Sequence, residues 1–154
     1  LQDRLAKILY DPKQNRTVFV VQDDSQVYDA IGRSFSNKVL PKWYRYGNSS
    51  KLFTCGHHDT AILVEDAASA CAVAATNLYS GIAILGTNIS PLQKQQLMAF
   101  DSVTIALDKD ASKMALNHLR RLRSLIKTRI VFIENDLKNY MPRRIIEILR
   151  GEDR

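Results

Sequence analysis

Asp108 and Asp110 stand one residue apart at the end of the segment Ile105-Ala106-Leu107-Asp108-Lys109-Asp110. In an extended strand, residues i and i+2 point to the same face. Two carboxylates on one face repel each other, and burying them is costly unless a cation compensates. A divalent ion such as Mg²⁺ suits carboxylate oxygens and also engages phosphates. Glu65 ends a second apolar run, "AILVE", 43 residues earlier. If the two runs are neighbouring parallel strands, their acids converge beyond the carboxyl ends, where such sheets bind ligands. Asp136 follows another apolar run, "RIVFIEN", and is a further candidate ligand. Asp66 reads instead as an acid at a helix N-terminus, favoured by the helix dipole.

The elements that must position these acids follow from the periodicity. The stretch "LQDRLAKILY" places Leu1, Leu5, Ile8 and Leu9 on one helical face. "TVFVVQ", the turn "DDSQ" and "VYDAIGRSF" read as a hairpin. "NKVLPKWYRYGNSSKLF" carries Pro, Gly, Asn and Ser punctuation and reads as irregular. From residue 60 the rhythm changes. "TAILVE", "GIAILG", "SVTIALD" and "RIVFIEN" are buried-strand runs. Between and after them come four helical stretches, "DAASACAVAATNLY", "SPLQKQQLMAF", "ASKMALNHLRRLRSLI" and "PRRIIEILR". Ser90 is the expected N-cap of the second, with Pro91 at its first position. Met114, Leu119, Leu122 and Ile126 are core candidates of the third. Alternating strands and helices predict an α/β fold with a mainly parallel sheet covered by helices.

The totals set the frame. The chain has 154 residues, the size of one domain, with 45% hydrophobic content, enough to fill a core. It begins at Leu1 rather than Met, as expected of a fragment or a processed product. No apolar run approaches the ~20 residues of a membrane helix, and no signal peptide is visible. Cys55 and Cys71 lie far apart without CxxC spacing, which fits a reducing cytosol. Cys55-Gly56-His57-His58 lacks a second ligand pair and reads as a loop before a strand, not a zinc site. The net charge of +6 is uneven. Residues 1–60 carry 9 Lys/Arg against 6 Asp/Glu, residues 61–110 carry 2 against 5, and residues 111–154 carry 11 against 5. An acidic middle between basic ends suits a metal site in a protein that binds polyanions. Arg120, Arg121 and Arg123 spread around their helix at 100° per residue and read as a solvated face.

The segments "ILVEDAASACAV", "AILGTNIS" and "IALDKDAS" together resemble the Toprim fold. DNA primases of bacterial and phage type share that fold with type IA and II topoisomerases and some nucleases. The resemblance implies a Glu after the first strand and a DxD after the third, binding Mg²⁺. The upstream segment "RTVFVVQDDSQVYDAIGRSFSNKVLPKWYRYGNSSKLF" resembles the basic subdomain that precedes Toprim in primases and forms the other wall of the cleft. Arg16, Gly32, Arg33, Pro41, Lys42 and Trp43 carry that match, and "ENDLKNY" resembles a late primase stretch. The likeness runs from about residue 16 to about residue 141. It implies a small basic, mostly β subdomain at 1–58 and a Toprim domain at 59–154. Several positions depart from the pattern. Glu65-Asp66 stands where many Toprim chains have Glu-Gly, and the DxD lacks the usual following Gly. Ser69 and Lys138 occupy places where primases often carry further acids, which leaves the number of metal ions open. Lys138 is read as a fixed positive charge near substrate phosphates.

The resemblance implies a primase catalytic core: metal-dependent synthesis of short RNA primers from NTPs on single-stranded DNA, in the cytoplasm of a bacterial or phage-infected cell. Glu65, Asp108 and Asp110 are the expected catalytic residues. They bind Mg²⁺ or Mn²⁺ together with Asp136, and Glu65 is either a ligand or a base acting through one. Arg33, Lys42 and Lys138, with Arg16 and Arg45, are expected at triphosphate or template phosphates. Trp43, Tyr44 and Tyr46 interleave with Lys42 and Arg45, a pattern that suits base stacking, with at least one of the three packing in the core. Lys109 points to the opposite face and has no catalytic role. The chain shows neither a Cys-rich zinc module nor a GxxxxGK[ST] helicase loop, so a zinc-binding module and a replicative helicase are expected as partners in cis or in trans. A Toprim nuclease and a non-catalytic nucleic-acid-binding module with a decayed site are the competing readings. A topoisomerase would need a tyrosine domain for which the chain has no room.

Overall fold

The computed structural model describes residues 6–84 and 88–151. The chain opens with an antiparallel sheet of four strands in sequence order: β1 (Ile8–Asp11), β2 (Arg16–Gln22), β3 (Val27–Ser34) and β4 (Trp43–Arg45). Its turns are set by aspartates. Asp11 Oδ1 accepts from the backbone N–H groups of Lys13 and Gln14, and Asn15 takes the left-handed conformation before β2. Asp23 Oδ1 accepts from the N–H groups of Ser25 and Gln26 to close the β2–β3 hairpin. The helix expected over the first ten residues is corrected here. Ile8 and Leu9 lie in β1, paired with Phe19 and Val18, while residues 1–5 fall outside the described residues. A short Ile-Leu-Tyr run fits a strand as well as a helix, and the Asp11 turn folds it back onto β2.

A five-stranded sheet follows, in the order β5-β7-β6-β8-β9. It comprises β5 (Phe53–Cys55), β6 (Thr60–Val64), β7 (Ser80–Ala83), β8 (Ser102–Asp108) and β9 (Lys127–Ile133). Only β5, at the edge, runs antiparallel; the other pairings are parallel. Helices α1 (Ala67–Ala74), α2 (Pro91–Leu97), α3 (Ser112–Leu122) and α4 (Pro142–Arg150) connect or follow the strands. This is the α/β architecture expected, a mostly parallel sheet flanked by helices and preceded by an antiparallel sheet. β4 lies inside the stretch read as irregular and β5 begins at its last residue, Phe53; each is three residues long and is defined by pairing rather than by pattern. Ser90 and Gln93 form a reciprocal capping box at α2, with Pro91 at the first position. α3 ends at Leu122, short of the expected Ile126, because the chain tightens there to enter β9. The Leu125 N–H bonds the Leu122 carbonyl at 2.9 Å. The expected "LGT" at 85–87 lies outside the described residues.

Two hydrophobic clusters cover the two faces of the second sheet. One joins Ile62 and Val64 with Ala67, Ala70 and Val73 of α1, and includes Phe19, Val21 and Ile31 from the first sheet. Phe19 meets Phe53 edge-to-face, centroids 5.9 Å apart, and so fastens the two sheets. The other joins Leu63, Ile82, Ile105, Leu97 and Leu122. Gly81 is a close-approach position, since a Cβ there would lie 1.9 Å from the Ala70 carbonyl oxygen. Its missing side chain lets α1 lie directly on β7. No helix among the described residues is long and apolar enough to cross a membrane.

Candidate metal centre and cleft

β6 lies between β7 and β8, so the carboxyl ends of β6 and β8 are neighbours. Glu65 directly follows β6, Asp108 is the last residue of β8, and Asp136 stands three residues beyond β9. One oxygen from each of these three carboxylates lies within 4.8 Å of the others. An octahedral Mg²⁺ with bonds near 2.1 Å sets its ligand oxygens about 2.9–4.2 Å apart, so small side-chain rotations would close the set on one ion. The donor set, three hard oxygens and no sulfur or imidazole, fits Mg²⁺ or Mn²⁺. Asp108 Oδ1 accepts from the Ala111 N–H at 3.0 Å, which orients the carboxylate. Partial desolvation, then the negative charges of Asp136, Asp108 and Asp66, raise the Glu65 carboxyl above the ordinary glutamate value.

Asp110 is not among the three converging acids. The strand ends at Asp108 and the chain enters a 3-10 turn over Lys109–Ala111, which breaks the i, i+2 alternation. Asp110 instead lines an open cavity of about 680 Å³ together with Glu65 and Asp108. Asp66 caps α1, its Oδ1 accepting from the Ser69 N–H at 2.8 Å. Its Oδ2 pairs with Lys138 Nζ at 2.6 Å, and the same ammonium lies 3.3 Å from Asp136 Oδ2. Burial alone would lower the Lys138 amine, but the bond to Asp66 and the charges of Asp66 and Asp136 hold it above its ordinary value.

A second cavity, of about 480 Å³, separates the two sheets beside the acids. Lys42, Trp43 and Arg45 stand on one wall, and Glu65, Asp136 and Lys138 on the other. Trp43 is half-buried and tilts against Phe19, so it packs in the core while one part faces the cleft. The Arg33 guanidinium lies over the Trp43 ring, 5.3 Å from its centroid, and its Nη1 is buried without a hydrogen-bond partner among the described residues. Arg45 Nε bonds Asp29 Oδ2 at 2.8 Å, and its Nη2 bonds the Ser49 carbonyl. Burial would raise the Asp29 carboxyl, but the hydrogen bonds from Arg45 and Ala30 and the Arg45 charge hold it below the usual range. Tyr44 and Tyr46 meet edge-to-face at 5.1 Å, and the Tyr46 hydroxyl donates to Asp11. Arg16, expected at phosphates, is corrected: it is 2% exposed. Its Nη1 bonds the carbonyls of Gly32 and Lys42, and Gly32 leaves the room it fills.

Lys113, Asn117 and Arg120 also line the open cavity. Sequence reasoning passed over the first two and placed Arg120 on a solvated face. Their 4-and-3 spacing, which puts them on one helical stripe, was the signal available. His57 and His58 stack on each other before β6, at the end of that strand away from the acids, and Cys55 and Cys71 are free thiols.

No protein-family model matches the sequence, and no curated protein matches it. Solved structures do match the fold. The DnaG primase catalytic domain bound to ssDNA aligns with a TM-score of 0.71 and 19% identity, over 94% of this chain and 55% of that one. The DnaG catalytic core aligns with a TM-score of 0.71 and 16% identity, over 89% of this chain and 52% of that one. The RNA polymerase domain of Mycobacterium tuberculosis primase DnaG aligns with a TM-score of 0.67 and 11% identity, over 95% of this chain and 59% of that one. The chain therefore has the Toprim-type fold of primase catalytic domains, and it spans a little over half the length of the domains it matches.

Proposed function

We propose that this chain is the catalytic core of a DNA primase, a nucleotidyltransferase that joins ribonucleotides into short primers on single-stranded DNA. The observation that carries the proposal is the convergence of Glu65, Asp108 and Asp136 on one side of a cleft whose other wall bears Lys42, Trp43 and Arg45. The likeness in fold to a primase domain bound to single-stranded DNA supports it. The sheet β1–β4 and the sheet β5–β9 then serve as the two working parts, one wall each, so the expected boundary at 58/59 moves to before β5.

The three converging acids would hold Mg²⁺ or Mn²⁺, with Asp110 at the edge of the same cavity. Bound there, such an ion would supply the charge that lowers the pKa of a 3′-hydroxyl and neutralises a pyrophosphate leaving group. Glu65, which converges with Asp108 and Asp136, would be a ligand of that ion or a base acting through one. Lys42 and Lys138 both line the cleft and would meet phosphate oxygens as point charges. Arg45 reaches the same cleft and is held in place by Asp29. Trp43 offers a ring face for a template or incoming base. Arg33 stacks on Trp43 with Nη1 unpartnered among the described residues, and would be a further phosphate contact. A zinc-binding module and a replicative helicase, in cis or in trans, would supply template choice and delivery in the cytoplasm.

The test is one reaction with two labels: labelled single-stranded DNA and labelled NTPs with Mg²⁺ or Mn²⁺, with Asp108→Ala run in parallel. Short RNA products that vanish in the variant support the proposal. Shortened DNA without RNA would install a nuclease instead. If the protein retains DNA but neither label changes length, with a zinc-module protein and helicase supplied, it is a binding module.

A further inference from the structure

We infer that Lys138 is a built-in cation of the carboxylate cluster and limits that cluster to one divalent ion. The inference rests on the metal-binding reading above and deepens it. Four carboxylates, from Glu65, Asp66, Asp108 and Asp136, stand at the ends of three adjacent strands. Four such groups carry the charge to balance two divalent ions, and two-ion centres hold their ions about 3.5–4 Å apart. Asp110 does not join the Glu65–Asp108–Asp136 set, whereas Asp66 and Asp136 are near enough to share one ammonium, so a second ion beside that set would draw on those two carboxylates.

That place is taken. Lys138 Nζ lies 2.6 Å from Asp66 Oδ2 and 3.3 Å from Asp136 Oδ2. The other Asp66 oxygen is committed to the Ser69 N–H at the start of α1. Asp66 is thus engaged at both oxygens, and Asp136 at one. The Lys138 side chain is only 24% exposed, so its ammonium is held in the cluster and does not trail into solvent. A divalent ion and an ammonium competing for the same two carboxylates repel each other strongly at that separation. One ion therefore fits, on the Glu65, Asp108 and Asp136 oxygens, and the Lys138 ammonium stands where a second would go.

The test counts Mn²⁺ ions bound to the full chain by equilibrium dialysis and electron paramagnetic resonance. Wild type is expected to bind one ion and Lys138→Arg one. Lys138→Met is expected to bind two, with a spin-coupled signal that separates an ion pair in the cluster from an ion elsewhere on the surface. Adding Asp66→Asn to Lys138→Met is expected to return the count to one. If Lys138→Met fails to fold, Lys138→Gln reads the same quantity. Two ions on wild type, or one ion on both neutral variants, would overturn the inference and leave the metal centre standing. No ion on wild type would remove the metal centre itself, and this inference with it.

Discussion

Gly81→Ala should damage this fold far more than its single added methyl suggests. The new Cβ would sit 1.9 Å from the Ala70 carbonyl oxygen, 2.5 Å from its carbonyl carbon and 2.6 Å from its Cα. That first contact is about 1.1 Å short of the 3.0 Å that real Cβ atoms respect. All three of these atoms are Ala70 backbone, so no side chain can swing away. Helix α1 or strand β7 must shift by roughly that distance. The shift would strain the Asp66–Lys138 pair, now 2.6 Å long, at the mouth of the metal centre. Overpacking that side chains can absorb costs ~1–3 kcal/mol, so a rigid clash belongs at ~3 kcal/mol or above. Gly151→Ala is the matched control. Gly151 has φ +73 at the end of α4, and a methyl placed there would meet nothing within 4 Å, so only backbone strain of ~1 kcal/mol applies. Urea denaturation of both variants decides. If Gly81→Ala loses no more stability than Gly151→Ala, close packing at Gly81 does not hold α1 in place.

Three further outcomes are expected. Arg16→Met strips hydrogen bonds from the Gly32 and Lys42 carbonyls and should cost ~2–4 kcal/mol in urea denaturation, with DNA affinity of the folded protein changed less than threefold. A large loss of affinity at intact stability would return Arg16 to the binding surface. His118 is buried, its Nδ1 has no hydrogen-bond partner among the described residues, and burial followed by the Arg121 charge depresses its pKa. The unfolded chain then takes up a proton before the folded one. Stability is full above about pH 6.5 and falls, by up to ~1.4 kcal/mol per pH unit, as pH drops from there toward the depressed folded value. His118→Leu should flatten that slope in melts between pH 7 and 5, and an unchanged slope would assign it elsewhere. Lys42→Ala should raise the apparent KM for NTP or template at least fivefold with stability unchanged, as measured by initial rates; an unchanged KM would remove Lys42 from the cleft's phosphate contacts.

The parallel sheet was legible because its strands are short apolar runs separated by helical stretches with recognisable starts, as at Ser90-Pro91. The meeting of Glu65 and Asp108 was legible for the same reason: both end buried strands. What spacing could not reveal was local geometry at the ends. Asp110 left the strand face because the chain turns immediately after Asp108. Ile8 and Leu9 chose a sheet edge over a helix because the Asp11 turn offered them a partner strand. Arg16 read as a phosphate contact, yet the room left by Gly32 and two backbone carbonyls make a buried guanidinium tenable. The Asp66–Lys138 pair joins residues 72 apart and had no sequence signature. Lys113, Asn117 and Arg120 gave a visible stripe, but only the fold tells which side of α3 faces the acids.

The catalytic standing of the acids is tested most directly by the rate of dinucleotide formation at saturating Mn²⁺, measured for wild type, Glu65→Gln and Asp108→Asn at matched folded fraction. If the converging carboxylates hold the ion that activates the 3′-hydroxyl, both variants fall at least 100-fold while their melting temperatures stay near that of wild type. Turnover by wild type that persists in both variants would contradict a metal centre at the ends of β6 and β8.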